Sequence, residues 1–68
     1  MTDDQIREVA TGLAEAYVAS NHEQLELLDD ELKHAVLFTA VLSVCIRHRW
    51  QPEMLATAVD AVEVFARG

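Results

Sequence analysis

The segment AVLFTAVLSVCI, residues 35 to 46, places ten apolar residues with one Thr and one Ser inside a chain of only 68. Wound into a helix, such a run shows apolar side chains in every direction, and a helix of that kind has to be buried on all sides. Two short neighbouring helices cannot enclose it. The run therefore predicts helical packing, with part of the cover supplied from outside the chain. Domains this small hold a core worth only ~3–5 kcal/mol, and oligomerisation is a common supplement.

The rest of the chain reads as helix with no strand. It has two glycines and one proline, and no alternating apolar pattern bounded by turn residues. A first helix is expected over about 3–19. Thr2 serves as its cap and Gln5 as the returning partner of a capping box. Ile6, Val9, Ala10, Leu13 and Tyr17 share its apolar face. Gly12 weakens that helix by ~1 kcal/mol relative to Ala, which suggests a close approach by another backbone. Asn21 and Gln24 suggest a second start, and no breaker follows until WQPE, so a long central helix is expected over about 22–50. Pro52 excludes helical geometry at Gln51 and suits the first turn of a third helix, about 52–66. Met54, Leu55, Ala58, Val62 and Phe65 form its apolar face. The predicted fold is all-α, one domain over residues 1–68 with three helices, packed as a homodimeric bundle.

Angular bookkeeping at about 100° per residue divides the central helix into two stripes. Leu25, Leu28, Leu32, Val36, Thr39, Ser43, Ile46 and Trp50 run along its whole length and read as the face that packs on the other two helices. Leu37, Phe38, Val41, Val44 and Cys45 project on the far side, with His48 at their end. Leaving several such side chains wet forfeits ~1.5–3 kcal/mol each, so these six positions are assigned to a self-interface crossing near Val41.

Charge is distributed unevenly. Residues 1–31 hold nine of the twelve acids and only Arg7 as a base, against three acids and four bases in residues 32–68, for a net charge of −7. That sign repels phosphate, and no basic stripe with interleaved aromatics occurs, so direct nucleic-acid binding is not expected. A protein with a basic surface is the natural partner. Glu23, Glu26, Asp29 and Asp30 at the start of the central helix, with Arg47, Arg49 and Trp50 at its end, are the candidate partner-binding residues. Trp50 beside arginines has the composition of an interface hot spot, and equally suits closing the core at the turn.

Signals for chemistry are sparse. No Gly-rich phosphate loop and no nucleophile triad spacing are found, and a lone Cys45 inside an apolar run reads as packing. Glu31 and His34 have the Glu-x-x-His spacing used by di-iron carboxylate bundles, with Glu8 and Glu15 as conceivable additional ligands, which gives a small di-metal protein as one alternative. No enzyme activity and no cofactor are expected. The acidic N-terminal residues do not resemble a targeting signal, the apolar run is short of the ~20 residues that span a bilayer, and one unpaired cysteine suits a reducing compartment; a cytoplasmic location with no membrane role is expected. Small size, acidity and sparse catalytic residues are features shared by antitoxins, immunity proteins, anti-activators and phage-encoded inhibitors, a likeness of composition alone. The leading expectation is a homodimeric adaptor, inhibitor or anti-activator that occludes another protein. A second alternative is a mimic of nucleic acid that inhibits a DNA- or RNA-binding protein.

Overall fold

The structure, a computed structural model of residues 1–68, contains four helices: α1 (Asp3–Ser20), α2 (His22–Glu26), α3 (Asp30–Arg47) and α4 (Pro52–Arg67). There is no strand. The two outer helices begin and end within about a residue of their sequence-derived limits because their punctuation is chemical. At α1 the Thr2 hydroxyl accepts from the Gln5 amide at 3.2 Å, and the Gln5 side chain accepts from the Thr2 amide at 2.8 Å. This is a complete capping box. At α4 Gln51 is extended (φ −70°, ψ 158°) and Pro52 occupies the first turn, where its missing N–H costs nothing.

The long central helix is not continuous. The Leu27 and Leu28 amides bond back only three residues, to Gln24 and Leu25, and α3 begins afresh with Asp29 as its cap, whose carboxylate accepts from the Leu32 amide at 2.9 Å. The reason is local: Asp29 is extended, at φ −72° and ψ 169°, and caps a new helix start, which leaves the chain shorter than one unbroken helix would be. An unbroken helix over residues 22–50 would be about 42 Å long, whereas the longest dimension of the folded chain is 35 Å. Breaking at Leu27–Asp29 lets α2 turn back over the end of the bundle, where it buries Leu25. Asn21 differs from its expected role as well. Its side chain makes no cap for α2 and instead donates to the Tyr17 carbonyl at 3.0 Å, closing the end of α1.

The core lies between α1, α3 and α4, each of which contributes three residues: Ile6, Ala10 and Ala14; Leu37, Val41 and Cys45; Ala58, Ala61 and Val62. Four of these nine are alanine, so the helix axes approach closely and little bulk fills the centre. Leu13, Tyr17, Val18, Phe38, Met54, Leu55 and Phe65 seal the edges. The Arg7 guanidinium donates to Asp60 at 2.6 Å and ties α1 to α4 at the surface.

Burial exchanges the two stripes of the central helix. Val41 and Cys45 are each 1 % exposed and Leu37 is buried, all within a single chain, so these members of the expected self-interface are core residues. Phe38 packs against the same cluster, Val44 is half-buried, and only His48 is open to solvent. Conversely, the stripe expected to be core faces outward: Leu32 is 50 % and Ile46 61 % exposed, and Thr39 and Ser43 are exposed as well. Of the rest of that stripe, Leu25 is buried through α2, Leu28 and Val36 are half-buried, and Trp50 is half-buried against the core. Gly12 likewise differs from expectation, for a Cβ placed there would meet nothing within 4 Å.

Candidate functional site

Three surface features carry the sequence-derived candidates. The first is the outward stripe of α3. Thr39, at its middle, donates its hydroxyl to the Ala35 carbonyl at 2.8 Å, which satisfies the polar atom inside the helix and leaves the methyl group as its outer contact. Leu32, Val36, Thr39 and Ile46 thus offer a largely apolar ridge, interrupted by the exposed hydroxyl of Ser43. Beside it Tyr17 of α1 stands over Val36, Thr39 and Ala40 across a shallow apolar recess. The recess exists because α4 packs on both α1 and α3 and leaves their opposite flank open. Sequence reasoning found every residue of this ridge and assigned it to the wrong side of the helix.

The second feature is acidic. Glu23, Glu26, Asp29, Asp30 and Glu31 are all exposed on α2 and the first turn of α3. Glu26 pairs with His22 at 3.1 Å. Glu23, Asp29, Asp30 and Glu31 have no ion pair within the chain, whose other two pairs are Arg7–Asp60 and Glu63–Arg67. Asp29 spends one carboxylate oxygen on capping α3, and Asp30 and Glu31 sit favourably against the positive end of the helix dipole. These acids therefore serve the fold locally while most of their charge stays available.

The third feature is the α3–α4 turn. Arg47 ends α3, exposed and unpaired. Arg49 adopts the left-handed conformation, φ 59°. Its amide donates to the Ile46 carbonyl at 2.9 Å and the Trp50 amide to the Cys45 carbonyl at 3.1 Å. That pair of bonds is a Schellman closure, a position that usually takes glycine. Trp50 is half-buried and packs against the core, so it closes the bundle at this turn as well as bordering the surface.

Chemistry finds little support in the geometry. Glu31 and His34 lie a turn apart on α3, both exposed, but no three His, Cys, Asp or Glu side chains converge where they could hold a metal ion. The Cys45 thiol is pushed up from its ordinary pKa by burial, partly opposed by a backbone hydrogen bond. It is therefore protonated at neutral pH and a poor nucleophile. No helix is long and apolar enough to cross a membrane. No family model, no curated protein and no solved structure matches the chain.

Proposed function

We propose that this chain is a small homodimeric regulator that binds another protein and acts by covering part of its surface, as an adaptor, inhibitor or anti-activator would. The observation that carries the reading is the set of unpaired carboxylates on α2 and α3. Glu23, Asp30 and Glu31 are exposed carboxylates with no ion pair within the chain, and a surface of one sign is drawn to a basic partner. Such a surface steers association with a basic protein, and pairing two chains doubles the acidic area presented. Arg47, Arg49 and Trp50 border the opposite end of α3 and extend the contact surface. The reading places the protein in the cytoplasm and assigns it no catalytic role.

The test is affinity capture from the native host with wild type and with Glu23→Lys/Asp30→Lys, a pair that touches neither the core nor the Asp29 cap. A stoichiometric partner that is retained by wild type, lost by the variant and eluted by moderate salt is the expected result. Retention of the same partner by the variant, with no response to salt, overturns the acidic surface as the recognition element.

A further inference from the structure

The outward residues of α3 follow a rule that the core residues do not. Leu32, Val36, Thr39, Ser43 and Ile46 are spaced by four, three, four and three residues, the interval at which a helix keeps one seam against a second helix. The buried Leu37, Val41 and Cys45 are spaced by four and four, as suits the steeper crossing of helices within a globular bundle. One helix thus carries two packing patterns, and the chain itself satisfies only one. The seam is about 21 Å long from Leu32 to Ile46, and its flanks are small residues, Ala35 and Ala40, that admit a close neighbour. We propose that the occupant is a second copy of the chain, with the two α3 helices running antiparallel.

Charge selects both the occupant and its direction. The first turns of α3 and the preceding α2 hold Glu23, Glu26, Asp29, Asp30 and Glu31, and the far end holds Arg47 and Arg49. A parallel pair would stack the two acidic ends on each other. An antiparallel pair sets each acidic end beside a basic one. The match extends to single positions. Arg47 follows Asp29 by eighteen residues, which at about 100° each is five full turns, so both project along the same edge of the seam. In a two-fold antiparallel pair like edges face each other, and Arg47 of each copy meets Asp29 of the partner subunit. Asp29 has one carboxylate oxygen free for this, because only the other accepts from the Leu32 amide.

The seam's own layers fix a register within one residue of that pairing: Leu32 lies against Ser43 of the partner subunit and Val36 against Thr39 of the partner subunit, with Arg47 about 1.5 Å along the axis from Asp29 of the partner subunit. Ile46 then comes to the level of the partner's α2–α3 junction, where Leu27 stands 86 % exposed. The inference rests on the dimeric reading above and adds the face, the direction and the register.

Sedimentation equilibrium and cysteine cross-linking test it, and Cys45 does not interfere because it is 1 % exposed. Wild type is expected to be dimeric at tens of micromolar, on the order of the concentrations at which seams of this size associate. Leu32→Glu, at a half-exposed position, should weaken association by about a hundredfold with an unchanged helical circular-dichroism spectrum. Under mild oxidation a mixture of Leu32→Cys and Ser43→Cys chains should form a cross-linked dimer, while each variant alone forms none. Cross-linking of each variant with itself indicates a parallel pair and overturns the proposal. A wild-type monomer overturns the dimer itself. Retention of the partner by the acidic variant with the dimer intact would leave this seam standing and overturn the functional reading, so the two failures are distinguishable.

Discussion

The Trp50 amide donates to the Cys45 carbonyl across 3.1 Å, and to make that bond the chain turns through Arg49 at φ 59°. A left-handed L-residue costs roughly 1–2 kcal/mol, a penalty that glycine escapes. Nothing in the closure needs the arginine side chain, which is exposed. Arg49→Gly should therefore raise the midpoint of urea unfolding by an amount worth about 1 kcal/mol, less the extra entropy glycine brings to the unfolded chain, with the denaturant slope unchanged. A partner that uses Arg49 would be bound less tightly by the same, more stable variant.

Gly12 gives a second stabilising change with a different cause. It lies in the interior of α1, its backbone is helical, and the space around an added Cβ is open. Gly12→Ala should stabilise the fold by about 1 kcal/mol through helix propensity alone, read as a rise in thermal midpoint of several degrees. A neutral or destabilised variant would show that another backbone approaches α1 at this position in the assembled protein.

These two sites mark where the sequence was legible and where it was not. The capping box of Thr2 and Gln5 and the Pro52 start were readable because cap chemistry is local: the side chains that end a helix lie within three residues of the end they make. Asp29 was readable by the same rule, with Asp30 and Glu31 filling the first turn behind it, but its acids were counted as a docking surface on a helix already begun at His22. The two stripes of α3 were resolved correctly as stripes. Which of them faced inward was not, since periodicity fixes angles between residues of one helix and says nothing of where its neighbours stand. The deciding information lies on the other helices. Ala10, Ala14, Ala58 and Ala61 form shallow faces on α1 and α4 that accept Leu37, Val41 and Cys45 at close range.

The exchange of faces makes a paired prediction. Val41 lies in the core that α3 forms with α1 and α4, with 1 % exposure, and a carboxylate there would be buried without a partner. Val41→Glu should abolish cooperative unfolding and most helical signal by circular dichroism. Ile46→Glu, on the outward stripe of the same helix, should retain both. The reverse ranking would restore the inward assignment of the outer stripe.

Asp29 offers a test of the break between α2 and α3. Its carboxylate caps the Leu32 amide, and Asp29→Ala should cost about 1 kcal/mol, whereas Asp29→Asn, which keeps an acceptor oxygen at the cap, should cost only a few tenths. Asn21→Ala should leave the start of α2 unaffected, because that side chain serves the end of α1. Urea unfolding of the three variants, compared at one protein concentration, separates these outcomes.

Cys45 supplies a probe of the core that needs no substitution. Burial holds its thiol in the protonated form and raises its pKa in the folded state. A disulfide reagent should therefore react with native protein only through opening of the bundle, at a rate that accelerates steeply across the urea transition. The pH dependence follows in sign. Below the ordinary thiol pKa both states are protonated and the fold keeps its full stability on this account. As pH rises past that value the unfolded chain releases its proton first, the folded chain holds its own, and stability declines until the raised folded pKa is reached. Leu32→Glu should leave the native reaction rate unchanged at a protein concentration where wild type is monomeric, and Val41→Glu should bring it to the rate of the unfolded chain, because only the second substitution opens the helix face on which Cys45 lies.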